Sequence, residues 1–87
     1  MTEKPRAQDE RVEVVDARGH RCPTPSLRLR RALEHAPDGA VIRLLADDPL
    51  ARIDIPHLLA GLGYPLLEQA TDGSVLTFTV RKRAASA

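Results

Sequence analysis

The chain has 87 residues, which is room for one domain with one small core and excludes a second. A formal charge of +1, with 13 Lys and Arg against 12 Asp and Glu, hides a local division: Arg18, Arg21, Arg28, Arg30 and Arg31 fall between Asp16 and Glu34 with no acidic residue among them. The single cysteine excludes an internal disulfide, and no apolar run is long enough to span a membrane.

Residues 1–10 carry mixed charge without periodicity or an apolar signal core, and are expected to be a disordered leader. The single domain is expected over 11–83, with a loose tail over 84–87, in a soluble, cytoplasmic and monomeric protein. Val12, Val14 and Val15 mark a first strand. It ends at Asp16, Ala17 and Arg18, where Gly19 lets the chain turn. Cys22, Pro23, Thr24 and Pro25 follow. Two prolines this close fit only the first turn of a helix, where backbone donors have no partner to lose. Cys22 is therefore placed at a helix start, facing unpaired N–H groups and the positive end of the helix dipole. A fall in thiol pKa from about 8.5 to about 7 would raise the thiolate fraction at neutral pH from roughly 3% to roughly 50%.

From Pro25 onward, Leu29, Ala32, Leu33 and Ala36 recur at helical spacing, and Pro37, Asp38 and Gly39 stop the helix. Leu27 points away from that stripe, one turn from Cys22, and is expected to be an exposed docking contact. Ala40 to Ala46 is nearly all apolar and should be a central strand. Asp47, Asp48 and Pro49 then pair a capping residue with a proline that opens a second helix. Ile55, Leu58, Leu59 and Leu62 form its stripe; Pro56 predicts a kink, or a restart capped by Asp54, and Gly63 closes it. Pro65 to Thr71 and the alternating Leu76, Phe78 and Val80 predict a hairpin turning at Asp72 and Gly73.

The fold class is thus α+β: a two-layer α/β sandwich, β-α-β-α-β-β, with a four-stranded mixed sheet and two helices on one face. A right-handed crossover makes the first two strands parallel, so both strand-to-helix loops leave the same sheet edge. Cys22 and the Asp47–Asp48 pair should meet there.

A lone cysteine is usually a small buried hydrophobe, but the prolines, the loop-to-helix position and the arginines favour a reactive thiol. Pro23, Pro25, Gly19, Arg18 and Arg21 are assigned supporting roles; the prolines should position the thiol more than they stabilise the helix. Leu27, Arg28, Arg31, Asp47 and Asp48 are assigned to partner docking, although the aspartates also serve as caps. His20, next but one to Cys22, is read as a solvated loop residue rather than a base. His20, His35 and His57 lack paired ligand spacing, so no metal site is expected. Only Tyr64 and Phe78 could stack on bases, and direct nucleic-acid binding is not expected.

From about Val12 to Lys82 the chain resembles the TusA/SirA-like family of small sulfur-carrier proteins. The resemblance rests on Asp16, Arg18 and Gly19; on Cys22, Pro23, Thr24 and Pro25; on Ala46, Asp47, Asp48 and Pro49; and on Asp54, Ile55 and Pro56. Cys-Pro-x-Pro alone is a weak signal, whereas four segments in register are specific. The resemblance implies the two-layer sandwich, a sulfurtransferase that carries a persulfide on Cys22, and partners on both sides of the transfer. The donor would be a cysteine desulfurase or rhodanese-type protein and the acceptor a downstream relay protein, with tRNA uridine thiolation as an end use. No cofactor is required. His20 and Ser26 depart from the pattern, which has an aliphatic and a branched apolar residue there. The competing readings are a redox-active thiol protein, disfavoured by the lack of a resolving cysteine, and a non-catalytic binding module.

Overall fold

The computed structural model describes residues 12–83; the leader and tail assignments lie outside the described residues. In chain order it contains β1 (Val12–Asp16), α1 (Thr24–His35), β2 (Val41–Ala46), α2 (Ala51–Leu62), β3 (Leu66–Asp72) and β4 (Val75–Arg81). The strands form one sheet in the order β1-β2-β4-β3, with β1 parallel to β2 and the other pairs antiparallel. This is the α+β sandwich that the periodicities predict.

Alternation in the two central strands sets the layers. Ile42, Leu44 and Ala46 of β2, with Leu76, Phe78 and Val80 of β4, are buried against Leu29 and Leu33 of α1 and Ile55 and Leu59 of α2. Each large side chain removed from water in this way contributes about 1.5–3 kcal/mol, against the entropy lost on ordering the chain. Thr79, on the opposite face from Phe78, is also buried. Its β2 partner in the register is Arg43, whose Nε donates to Thr79 Oγ1 at 3.4 Å.

Two local expectations are corrected. α2 runs unbroken through Pro56, without the predicted restart at Asp54. Proline removes one donor to the carbonyl four residues back, that of Arg52; Arg52 is exposed, so water can replace the lost partner and the helix continues. The hairpin turn is Gly73 and Ser74 rather than Asp72 and Gly73, because Asp72 still pairs with Val75, and Gly73 takes the positive φ of 63°. Gly63 ends α2 as predicted, with φ 81° and its N–H donating to Leu59 O at 2.9 Å. The end of α1 has a partner the pattern did not reveal: the Lys82 ammonium donates to the carbonyls of Leu33 and Ala36, at the negative end of the helix dipole.

Candidate functional site

The parallel β1–β2 pairing carries both strand-to-helix loops to one edge, and hydrogen bonds tie the loops together. Ala17, fully buried, extends the ladder by donating to Leu45 O at 2.8 Å. The chain then turns at Gly19, whose φ of 85° suits a residue without Cβ. Gly19 N donates to both carboxylate oxygens of Asp47, at 3.0 and 3.1 Å. Cys22 N donates to Asp48 Oδ2 at 2.7 Å, while Asp48 Oδ1 accepts from Leu50 N at 3.0 Å. Asp48 thus closes the turn before α2 and is a strut that holds the backbone of Cys22; the helix itself opens later than Pro49, with Leu50 as its N-cap and no side-chain cap, which corrects the capping role expected of the aspartates. The donors from Cys22 and then Leu50 keep its carboxyl below the usual carboxylate range.

Around this strut opens a cleft of about 580 Å³ lined by Gly19, His20, Arg21, Cys22, Asp47, Asp48, Pro49 and Leu50. Cys22, one of these lining residues, is half-buried. The Cys22–Pro23 peptide bond is cis, Pro23 is the N-cap of α1, and Pro25 lies in the first turn.

The thiol's electrostatics reverse the expectation from the sequence. Burial pushes the Cys22 pKa up, the Asp54 carboxylate that accepts its proton and the charges of Asp54 and Asp48 push it further, and the Ser26 hydroxyl pulls it down. The helix terminus supplies little to oppose this, because Thr24 N already donates to Arg21 O at 2.9 Å and Pro25 has no N–H. The prolines that mark the helix start also strip it of donors.

The arginines divide into three settings. Arg18 is engaged by Asp16, with Nε and Nη2 each 2.8 Å from a carboxylate oxygen, and this pair holds Asp16 far below the ordinary carboxylate range. Arg21 lines the cleft and its charge acts on Asp48. Arg28 reaches across to Asp16 O at 3.5 Å and to the His20 ring at 3.4 Å. Arg28 also lines, together with Arg31, Val15, Ala32 and His35, a separate groove of about 400 Å³ between α1 and β1. The acid-free sequence span therefore does not surround the sulfur, which has carboxylates for its near neighbours.

Leu27 is exposed, as its position on the helical wheel requires. Among the exposed apolar side chains that sequence reasoning missed are Leu50, which lines the cleft, and Ile53 in the first turn of α2. It also gave Asp54 a capping role and Ser26 none. Asp54 acts on Cys22 from another element, which no local spacing reports, whereas Ser26 lies only four residues along from it.

Pro25 is fully buried, which changes the expected balance between positioning and stability. Pro25→Ala removes about two buried methylenes and releases the unfolded chain, and is expected to cost about 2–2.5 kcal/mol rather than the 0.4–1 kcal/mol, roughly, of backbone entropy alone. Urea unfolding of the variant checks this: a loss below about 1 kcal/mol would mean that the ring contributes little to packing.

With this geometry in place, the comparisons with known proteins converge. Residues 13–82 match the family described as Sulfurtransferase TusA. A relative from Archaeoglobus fulgidus is 44% identical over 71 residues, covering 80% of this chain and 92% of its own. The Sulfur carrier protein TusA of Pseudomonas putida is 35% identical over 71 residues, covering 82% and 89%. The crystal structure of a SirA-like protein from Desulfitobacterium hafniense superposes with a TM-score of 0.71 at 29% identity, over 84% of this chain and 99% of that one. The chain belongs to the TusA family.

Proposed function

We propose that this protein is a sulfur carrier in a relay: the Cys22 thiolate attacks the terminal sulfur of a donor persulfide, holds it as Cys-S-SH, and yields it to an acceptor thiolate. The observation that carries this reading is the placement of the sole cysteine, half-buried in an open cleft with its backbone fixed by Asp48. Thiol exchange displaced by one sulfur needs an accessible sulfur, a fixed approach and no cofactor. Family membership supports the same role, since relatives are named sulfur carrier proteins.

Under this reading the protein acts as a sulfurtransferase in the cytoplasm. A cysteine desulfurase or a rhodanese-type protein is the donor, a relay protein the acceptor, and tRNA uridine thiolation an end use. Among the described residues no helix is long and apolar enough to cross a membrane. Pro23 and Pro25 hold the first turn, Gly19 makes the turn that Asp47 grips, and Arg18 fixes the loop through Asp16. The test is intact-mass analysis after incubation with a small persulfide or with a desulfurase and its substrate. One added sulfur atom, removed by reductant, is expected. A gain of oxygen instead would favour a redox thiol, and an unchanged mass would favour a binding module; either would overturn the proposal.

A further inference from the structure

The groove between α1 and β1 takes no part in the chemistry at Cys22, yet its two walls are matched to one kind of occupant. Four consecutive β1 residues, Glu13 to Asp16, line it. Successive residues of a strand face opposite ways, so a wall made of all four is the outer edge of β1 rather than one of its faces. That edge is open. Among the described residues β2 is the only strand beside β1, and the register between them runs without a bulge. The far edge of the sheet differs, because the pairing of β3 shifts between Leu66 and Glu68, an irregularity that discourages further pairing.

The wall opposite β1 is basic. Arg28, Arg31 and His35 stand exposed on one face of α1, and no carboxylate among the described residues pairs with either arginine. Of the acids on β1, Asp16 is engaged by Arg18, which leaves Glu13, opposite Ile42 in the register and so on the α1 side, outnumbered by two guanidinium groups.

We propose that this groove docks an extended acidic segment of a partner protein, which adds to the sheet as a strand on β1, at a site separate from the cleft. Residues two apart along such a strand lie about 6.6 Å from each other, and Arg28 to Arg31 is a rise of about 4.5 Å along α1. Carboxylates at alternate positions therefore come within reach of both guanidinium groups, which bind them with paired hydrogen bonds. The intervening side chains face the other way, beside the exposed Val14, and should be apolar. Backbone pairing supplies the affinity and the alternating side chains the choice of partner. Because β1 leads into the loop that carries Cys22, and Arg28 reaches His20 at 3.4 Å, the docked segment ends beside the cleft without covering it.

The test is fluorescence anisotropy with the full-length protein and a labelled peptide of about eight residues that alternates glutamate and valine, together with amide hydrogen exchange along β1. Binding is expected, with slowed exchange of the β1 amides. Arg31→Glu should weaken it about ten-fold at low salt and less at high salt, and Arg31→Lys should recover most of the loss. Arg31 is exposed and borders the groove but not the cleft, so the variant should keep its circular dichroism and isolate this site. The same peptide N-methylated along either edge keeps its charge but cannot pair with a strand, and should not bind. Equal binding of the N-methylated peptide would reduce the groove to a patch of charge, and binding unmoved by Arg31→Glu would place the peptide elsewhere. Either overturns the proposal, as does no binding at all. So does a concentration-dependent dimer of the free protein with protected β1 amides, which would give the edge to a second copy, or tighter Arg31-dependent binding of a single-stranded RNA. Peptide binding is read without sulfur, so its failure leaves the carrier reading standing, and a failure of sulfur loading leaves the groove standing.

Discussion

Cys22→Ser is expected to abolish sulfur loading while leaving the fold intact, and both halves of that result follow from the geometry. The hydroxyl that replaces the thiol is scarcely ionised at neutral pH and forms no persulfide, so the carried sulfur has nowhere to bind. The contact that fixes this residue is made by its backbone, whose N–H donates to Asp48 Oδ2 at 2.7 Å, and serine keeps it. The side chain is only half-buried and borders the core rather than filling it, so the change in stability should stay within about 1 kcal/mol. Cyanide-labile sulfur measured after incubation with a donor, alongside circular dichroism and urea unfolding, tests both halves together. Sulfur retained by the variant would place the acceptor elsewhere. Lost helicity would make Cys22 a structural residue.

The contrast between what could be read from the residues and what could not follows the range of the interactions. Alternation in β2 and β4, the stripe Leu29, Leu33 and the stripe Ile55, Leu59 are periodic, and each names its own buried face. Right-handed crossover then brings the two loops to one edge without any knowledge of contacts. The sign of the field at the sulfur has no such local record. Five arginines near Cys22 in sequence suggested a basic site, but Arg18 spends its charge on Asp16 and Arg31 faces β1, while Asp48 and Asp54 arrive from 26 and 32 positions further along the chain. The thiol's raised pKa is a tertiary effect. Pro56 teaches the same lesson in the other direction: a local helix breaker is overridden where packing of Ile55 and Leu59 on the sheet secures both sides of it.

Stability should carry the thiol's signature at alkaline pH. A group whose pKa is raised by folding stabilises the native state below its unfolded pKa, and that contribution is lost as pH rises through the folded value. The opposite holds for Asp48, whose contribution is present above the unfolded pKa and is lost as acid titrates the carboxylate through its lowered native value. The strut and the thiol are thus both intact in the neutral range, where a relay between proteins must work.

Exchange of sulfur between proteins also requires docking, and the largest effect on that step is expected from opposite kinds of change on the two walls of the cleft. Arg21 lines the cleft; Arg28 lines the neighbouring groove with Arg31 but also reaches His20 on the cleft, at 3.4 Å, which Arg31 does not. Leu50 is an exposed apolar side chain on the cleft, and Leu27 another in the first turn of α1. Rim charges act mainly on the association rate and are screened over about 8 Å at physiological salt, whereas an apolar anchor that loses its water on binding acts mainly on dissociation. Arg21→Glu is therefore expected to slow transfer from a protein donor about ten-fold at low salt, with the loss shrinking as salt is raised. Arg28→Glu should act in the same direction and Arg31→Glu much less. Leu27→Ala should weaken docking at every salt concentration, by about 1–2 kcal/mol if it is buried at the interface. A small persulfide assayed in parallel is the control, because it needs the thiol but not the docking surface. Equal losses with the small and the protein donor would mean that Arg21 tunes the sulfur through Asp48, and the docking role would have to be given up.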